Sequence, residues 1–312
     1  MVHAITDITS EENKLLVETM ISKYGSSAEH NYYCYLDKIK EFCKTPHPYV
    51  YVFEEYKGVL AKYDTTTNEY RVFMEVLAPQ DEKVGVFLKF LDYIFSHEPK
   101  PKKVWIEFEE GIRKNLLAIL KDSLYRCNRV NYELIWPVFD MDVWNGDLMQ
   151  GGEWKDLRYY WHKFFREHKV EFVNANDKRV DPKALKDLIY AWKKQRTVND
   201  HAQIDYYIKV IESGFRGYDV TRIMLVDGKV GAITAGFYPR PGYYYSSIGL
   251  YNPEISRCND IANMDDLINL KRLGCKIVDF GGIEEEHLEF KKKFRPTRYY
   301  KTYVFSIMLK ES

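Results

Sequence analysis

Asp279 is the carboxylate of this sequence best placed to do acid–base chemistry. It lies in a short apolar run, 276–280, that predicts a strand and leads into Gly281 and Gly282. Side chains alternate between the two faces of a strand, so this carboxylate is expected among apolar neighbours, where it needs a partner. Either it accepts hydrogen bonds as a structural group, or it orients or deprotonates a nucleophile, with partial burial making it a stronger base. The two glycines would let a substrate or another backbone segment approach closely.

Lys291 is the second group whose chemistry needs an explanation. The segment 285–294 predicts a helix, and Lys291 falls within its apolar arc. That arc consists of Leu288, Phe290 and Phe294. An ammonium on a buried face must extend to water, pair with a carboxylate or meet a ligand that compensates for its lost hydration. The alternatives are therefore an ion pair with an acid such as Asp279 or Glu284, and a contact with a phosphate or an oxyanion.

A predicted helix over 153–168 carries a row of basic residues. They are Lys155, Arg158, His162 and Arg166. At ~100° per residue their spacing keeps them within about 80° of arc, beside the apolar face of the helix. Such a row either follows the phosphates of a polyanion or is an ordinary solvated face. Arg295, which follows the predicted helix of Lys291, either extends a positive rim or is surface charge.

The elements that position these groups repeat along the chain. In the first half, periodicity predicts two helices, three strands and then a helix–strand–helix–strand series, beginning at a capping box on Ser10. From residue 138 the same series of three strands, helix, strand, helix and strand recurs, and the segment 106–108 aligns with 278–280. We therefore expect an α+β fold of two units, 1–137 and 138–312, each with a mixed central sheet flanked by helices.

Several blocks of the second half resemble known families. The segment 142–173 is similar to the start of the domain that follows the membrane part of phosphatidylglycerol lysyltransferases, a domain of the DUF2156 type. The blocks 227–231, 273–283 and 290–296 are similar both to that family and to the Fem-type peptidoglycan aminoacyltransferases. The resemblance implies a tandem GNAT (acyl-CoA N-acyltransferase-like) fold. It also implies transfer of an aminoacyl group from aminoacyl-tRNA to an amine or hydroxyl, on a small molecule or a lipid head group, and gives Arg158 more weight than its neighbours.

The prediction of the acyl donor rests on a difference between this sequence and GNAT enzymes that use acetyl-CoA. GNAT enzymes hold its pyrophosphate with a glycine-rich loop at a helix N-terminus, where several N–H groups can close on phosphate. Here the corresponding connection, 252–260, has no glycine, and Asp260, Asp265 and Asp266 disfavour an anion. We expect aminoacyl-tRNA as donor; the alternatives are a CoA thioester bound by an atypical loop, and a non-catalytic module that binds a partner. The equivalent stretch 78–82 also lacks the loop, so the first unit is expected to be structural.

Composition limits the remaining classes of function. The 46 basic and 46 acidic side chains cancel, so any contact with tRNA requires a local basic patch. No run reaches the ~18 apolar residues of a membrane span, and the N-terminal segment lacks a signal-peptide pattern, which predicts a cytoplasmic protein. The 5 cysteines lack CxxC spacing and the 8 histidines lack ligand spacing, which predicts neither a disulfide framework nor a metal.

Overall fold

The computed structural model describes residues 2–38, 44–196, 204–285 and 288–310. The chain divides into two compact units. The first consists of Met1–Ile135 with Tyr300–Ser312, and the second of Trp136–Tyr299.

The first unit is a sheet with helices on both faces. Its helices are α1 (Glu11–Tyr24), α2 (Tyr32–Asp37), α3 (Lys83–Ser96) and α4 (Glu110–Leu120). Its strands are β1 (His3–Ile5), β2 (Pro46–Glu54), β3 (Lys57–Asp64), β4 (Glu69–Val72), β5 (Lys103–Glu109), β6 (Tyr125–Cys127) and the last strand of the chain, β13 (Arg298–Leu309). The strand order is β1-β2-β3-β4-β5-β13, with β6 also paired to β13.

The second unit has the same kind of sheet. Its helices are α5 (Lys155–Glu167), α6 (Pro182–Lys194), α7 (Ile204–Glu212), α8 (Cys258–Arg272) and α9 (Leu288–Lys292). Its strands are β7 (Tyr132–Asp140), which enters from the first unit, β8 (Val170–Val173), β9 (Val220–Val226), β10 (Lys229–Arg240), β11 (Tyr243–Tyr251) and β12 (Ile277–Asp279). The strand order is β7-β12-β11-β10-β9-β8.

The strand order predicted to repeat is found in both units. In the first, β2, β3 and β4 form an antiparallel meander, and β5 returns through α3 to lie parallel to β4. In the second, β9, β10 and β11 form the meander, and β12 returns through α8 to lie parallel to β11. Parallel neighbours need such a crossover, and a helix is its usual form.

The last strand departs from the expected assignment of residues to units. The expected boundary placed everything after 137 in the second half, whereas residues 300–312 group with the first unit. The reason is that β13 pairs antiparallel with β5, from Thr302 opposite Glu109 to Ile307 opposite Val104. In the second unit the equivalent place beside β12 is taken by β7. Two short strands, β1 and β6, were not expected.

Local sequence explains where the helices begin. Ser10 caps α1 by accepting from the backbone N–H of Asn13 at 3.4 Å. Asp181 caps α6 by accepting from the N–H of Lys183 at 2.9 Å, and Pro182 occupies the first turn, where a missing N–H costs nothing. The start of α1 at Ser10 was expected from the sequence.

Helix α8 covers one face of the second sheet and carries a buried acid. Phe139, Val278 and Phe280 belong to the core cluster on that face, so the side chain of Asp279 lies on the other face. Asp266 of α8 is fully buried and accepts from Ser246 Oγ at 3.4 Å. Its Oδ1 has no hydrogen-bond partner among the described residues, nor does the buried hydroxyl of Tyr244. Burial, with the charge of Asp265, raises the pKa of Asp266 to about 7.

This raised pKa predicts a pH-dependent stability. The unfolded chain releases the proton of Asp266 near its ordinary pKa of 3.8, and the folded chain only near 7, so the contribution of this group falls as pH rises between those values. Asp266→Asn removes the ionisation. We expect the variant to be more stable than wild type by ~4 kcal/mol at pH 8 and about equal at pH 4, in urea unfolding.

The matched control is Asp187→Asn, at an exposed acid on α6. It should leave the stability unchanged within ~0.5 kcal/mol at both pH values. An Asp266→Asn protein that is less stable than wild type at pH 8 would show that Asp266 is ionised and satisfied in the fold.

Candidate functional site

The second unit contains an opening where two parallel strands separate. Strands β11 and β12 pair over three residues, and the last pair is Tyr245 with Asp279. Strand β11 nevertheless continues to Tyr251, paired on its other side with β10. Beyond Tyr245, β11 therefore presents a strand edge toward the segment that follows β12. The carboxyl ends of parallel strands are where ligands commonly bind, because the diverging chains leave a crevice there.

Asp279 lies at the apex of this opening and is fully buried. Its Oδ2 accepts a hydrogen bond of 2.7 Å from the hydroxyl of Tyr243, and its Oδ1 accepts one of 3.0 Å from the N–H of Gly281. These are the partners that burial of the carboxylate requires. Tyr243 reaches the carboxylate from the neighbouring strand. The side chains of Tyr243 and Tyr245 on β11 lie on the same face of the sheet as the side chain of Asp279 on β12.

Lys291 approaches the same point from α9. Its Nζ donates to the carbonyl oxygens of Phe280 and, at 3.1 Å, of Gly281. An ammonium has three donors, so one remains after these two contacts with described residues. Burial lowers the pKa of Lys291 to about 8, and the negative charge of Asp279 opposes that shift. The group is therefore mostly protonated at pH 7, in surroundings of low polarity.

The two glycines differ in what they do. Gly281 has a φ of +77°, and a Cβ there would stand 3.7 Å from both Lys291 Nζ and the carbonyl oxygen of Ser246. A side chain at this position would occupy the opening beside β11. At Gly282 a Cβ would meet the indole of Trp136 at 2.6 Å, so that glycine is required by packing. Of the two, Gly281 is the one whose missing side chain leaves room for a ligand.

One residue of the predicted basic row, Arg158, is engaged with the protein itself, as is Arg295. Arg158 Nη1 donates to the carbonyl of Met149 and, at 3.3 Å, to that of Gly151. Arg295 Nη2 donates to the carbonyl of Glu153 at 2.8 Å. Both guanidinium groups thus hold the segment that leads into α5. Lys155 is exposed at the start of α5.

The start of α8 is closed by an acid. Asp260 is buried in the first turn, with Lys293 Nζ on its Oδ1 and Arg257 Nη1 at 3.2 Å from its Oδ2. The N–H of Cys258 donates to the carbonyl of Ile255 at 3.2 Å, and that of Asp260 donates to the side-chain oxygen of Asn259 at 2.9 Å. These N–H groups are already used, and a carboxylate stands where an anion would bind.

Two features of the site were missed by sequence reasoning. The hydroxyl of Tyr243 is a partner of Asp279, a pairing that no local pattern of the sequence indicates. Lys293 pairs with the buried Asp260, although it lies off the apolar arc of its helix. The sequence does indicate that Asp260 needs a partner, because a buried acid in the first turn of a helix requires a cation. No local pattern identifies Lys293 as the lysine that supplies it.

The described ranges contain neither a metal-binding cluster nor a membrane-spanning helix. No group of three or more histidine, cysteine or carboxylate side chains is arranged there to hold a metal ion. No described helix is both long enough and apolar enough to cross a bilayer.

Comparisons with known proteins identify the fold. No family profile and no curated protein sequence matches the chain. Among solved structures, the C-terminal domain (DUF2156) of a protein assigned as a lysylphosphatidylglycerol synthetase from Agrobacterium fabrum matches with a TM-score of 0.64 at 15% identity, over 95% of this chain and 92% of that one. FemX matches with a TM-score of 0.63 at 12% identity, over 97% and 96%. A tandem GNAT protein from the clavulanic acid biosynthesis pathway matches with a TM-score of 0.58 at 8% identity, over 100% of both chains.

These similarities confirm the predicted fold class. The protein is an α+β protein of two tandem GNAT-like units, and the resemblance noted in the sequence is confirmed at the level of the fold. At such low identities the likeness concerns the fold alone, and the chemistry must be argued from the site.

The contacts of Arg158 generate a prediction that separates a structural from a ligand-binding role. Arg158→Met leaves the carbonyls of Met149 and Gly151 without this donor, and should lower the free energy of unfolding by ~1–2 kcal/mol. Lys155→Met, at the exposed end of the same row, should change it by less than ~0.5 kcal/mol. Urea unfolding measures both. An Arg158→Met protein as stable as wild type would contradict the structural role and leave the guanidinium free for a phosphate.

Proposed function

We propose that the protein is an acyltransferase that moves an aminoacyl group from aminoacyl-tRNA to an amine or hydroxyl acceptor. The observation that carries the proposal is the convergence of Asp279 and Lys291 on Gly281, where β11 and β12 separate. A carboxylate and an ammonium at one opening supply the two things that acyl transfer needs. One is a group that handles the proton of the nucleophile, and the other is a donor for the developing oxyanion.

Lys291 is the proposed oxyanion donor. As the acceptor nitrogen or oxygen attacks the carbonyl carbon of the ester, charge accumulates on the carbonyl oxygen, and the remaining N–H of the ammonium would stabilise it. The carbonyls of Phe280 and Gly281 fix the ammonium before the reaction, so little reorganisation is needed. The tetrahedral intermediate then collapses with loss of the ribose oxygen of the tRNA, and no covalent enzyme intermediate is formed.

Asp279 is the proposed group that orients the acceptor and takes its proton. The hydroxyl of Tyr243 and the N–H of Gly281 hold the carboxylate in one orientation. The proton lost by the nucleophile passes to Asp279 and finally to the departing ribose oxygen, so that the atoms balance. Positioning of the two substrates supplies the rest of the rate enhancement.

The closed start of α8 supports tRNA rather than CoA as the donor. A pyrophosphate at this helix would face the buried Asp260 and N–H groups that are already bonded. An aminoacyl ester needs no pyrophosphate site. One similar structure is a domain of a protein assigned as a lysylphosphatidylglycerol synthetase, which supports a lipid head-group hydroxyl as one acceptor class. A small-molecule amine is the other. Lys155, as an exposed cation, is the residue of the basic row proposed to meet tRNA phosphate.

The role of Lys291 predicts a selective loss of activity. Lys291→Met keeps the apolar stem and removes the charge, so transfer should fall by ~10²-fold or more in kcat, while the melting temperature changes little. Aminoacyl transfer from charged tRNA to a panel of amines and phospholipids measures it. Since burial lowers the pKa of Lys291 to about 8, transfer by wild type should also decline as pH rises above about 8.

The matched control is Lys292→Met, because Lys292 is exposed on the same helix and pairs only with the exposed Glu289 among described residues. It should retain nearly full activity. Lys293 is unsuitable as a control, since its loss would leave the buried Asp260 with Arg257 alone. Equal losses at Lys291 and Lys292, or a fall of about 3–5 kcal/mol in stability with activity kept, would exclude the oxyanion role.

The donor is tested by binding. Calorimetric titration with acetyl-CoA should show no binding at micromolar concentration, whereas charged tRNA should bind with an affinity that falls steeply with salt, as phosphate contacts require. Lys155→Met should reduce the slope of log affinity against log salt by about one unit or less. A micromolar dissociation constant for acetyl-CoA would overturn the choice of donor and favour the CoA thioester, while binding of neither would favour a non-catalytic module.

A further inference from the structure

The hairpin that joins β10 to β11 brings an arginine to the face of the sheet that carries Asp279. Arg240 is the last residue of β10 and Tyr243 the first of β11, and the register pairs them directly. The turn between them is Pro241 and Gly242, with a φ of +74° at the glycine, which is the pattern of a type II turn. Directly opposed residues of an antiparallel pair place their side chains on the same face, so Arg240 lies beside Tyr243.

A β-bulge in β10 is what places Arg240 on this face. The register shifts between Phe237 and Arg240, where three steps along β10 correspond to two along β11. Strict alternation would put Arg240 on the same face as Tyr238, whose ring packs against the core on the α8 side. The extra residue reverses the alternation and returns Arg240 to the face of Phe237, whose ring packs with that of Tyr245. Bulges re-aim a side chain in this way and are common next to functional sites.

The turn of this hairpin is tied to the strand that carries Asp279. The carbonyl oxygen of Gly242 accepts from the N–H groups of Lys276 and Ile277, both at 3.0 Å. Ile277 begins β12 and Asp279 ends it. The neighbouring strands β10, β11 and β12 are therefore held in fixed register, by backbone hydrogen bonds, at the place where these side chains meet.

Three side chains from these strands form a continuous series of contacts. The guanidinium carbon of Arg240 lies 3.8 Å from the centre of the Tyr243 ring. The hydroxyl of Tyr243 donates to Asp279 Oδ2 at 2.7 Å. A cation over an aromatic face is attracted by the negative charge of that face, and linked polar groups polarise one another where water is excluded. A positive charge against the ring draws electron density from the phenol oxygen, so the O–H becomes a stronger donor to the carboxylate.

Among the described residues, Tyr245 and Lys291 are further titratable side chains beside Asp279. Tyr245 lies on the same face of β11 as Tyr243, at the register position opposite Asp279. Lys291 approaches from α9, held by the carbonyl oxygens of two residues that follow the carboxylate, and its charge interacts with Asp279. The hydrogen bond from Tyr243 is the contact that Arg240 can change directly, because Arg240 stacks on the ring that makes it.

We propose that Arg240 is a positioning residue: through the ring of Tyr243, it strengthens the hydrogen bond that orients Asp279 and keeps it ionised. The purpose of this device rests on the proposed transfer reaction, in which the acceptor nucleophile meets an oriented carboxylate. The device itself is a property of the three side chains and can be measured without any substrate. Arg240 is exposed, so its replacement should cost the fold little stability.

The ionisation of Asp279 is followed directly, by carbon-13 NMR of the side-chain carboxyl in protein labelled at aspartate, with Asp279→Asn identifying the signal. Because a donor to the ionised form lowers the titration midpoint, a weaker donor raises it. Arg240→Met should raise the midpoint by ~0.5 pH unit. Arg240→Lys, which keeps a cation, should raise it by about half as much or less. Tyr243→Phe, which removes the hydroxyl, should raise it by ~1–2 pH units.

A double variant tests whether the effect passes through the hydroxyl of Tyr243. Tyr243→Phe keeps the ring under Arg240 and loses the hydroxyl, so adding Arg240→Met should move the midpoint by less than ~0.2 pH unit further. Lys276→Met is the matched control, because it removes an exposed cation, paired with Asp142, at the start of the same strand as Asp279. It should also move the midpoint by less than ~0.2 pH unit.

The transfer assay keeps the two proposals apart. If Asp279 takes the proton of the acceptor, the acid limb of the kcat profile should move with the NMR midpoint. The expected NMR shifts without any transfer would overturn the proposed function and leave the role of Arg240 supported. That role is overturned if Arg240→Met leaves the midpoint unchanged, including the case in which Asp279 stays ionised across the titrated range in both proteins. It is also overturned if Arg240→Met acts equally with and without the Tyr243 hydroxyl, or if Lys276→Met gives the same shift.

Discussion

Burial of a carboxylate at the point where β11 and β12 separate is the constraint on which the rest of the candidate site depends. A charge removed from water must be compensated locally. The compensation comes from three directions: the hydroxyl of Tyr243 on the neighbouring strand, the N–H of Gly281 in the turn, and the charge of Lys291 on α9. Each of these fixes an element relative to Asp279. The opening that a substrate could enter is therefore bounded by groups whose positions are set by one electrostatic requirement.

The same argument explains the short helix α9 and the arginines around it. Five residues of helix have little stability of their own. Phe294, which is fully buried, anchors the chain that follows, and its carbonyl accepts from the indole of Trp144 at 2.9 Å. Arg295 then reaches Glu153, and Arg158 holds the same segment from α5. Cations that resemble a phosphate track in the sequence thus act, at least in part, as supports that hold Lys291 in place.

Sequence predicted what depends on local periodicity and missed what depends on pairing between distant residues. The repeated strand order and the start of α1 follow from apolar alternation and a capping residue, and these were found. The partners of Asp279 and Asp260 were not, because Tyr243 and Lys293 lie 36 and 33 residues away in the chain. The strand beside β5 is β13, from the other end of the chain. Pairing between such distant segments is not revealed by any local sequence pattern. The roles of Asp279, Lys291 and Lys155 in catalysis or binding stay predictions.

The two units show how one topology can give equivalent carboxylates different properties. Asp279 receives two donors and stands near an ammonium, so its charge is compensated within the protein. Glu107 receives one donor, and burial, followed by the negative charges of Glu29 and Glu75, raises its pKa to about 7. The first arrangement holds the carboxylate in one orientation by contacts within the protein; the second leaves a carboxyl group whose ionisation is opposed by burial and by neighbouring charges. Repetition of a fold therefore fixes where a carboxylate lies, and the side chains around it decide what it can do.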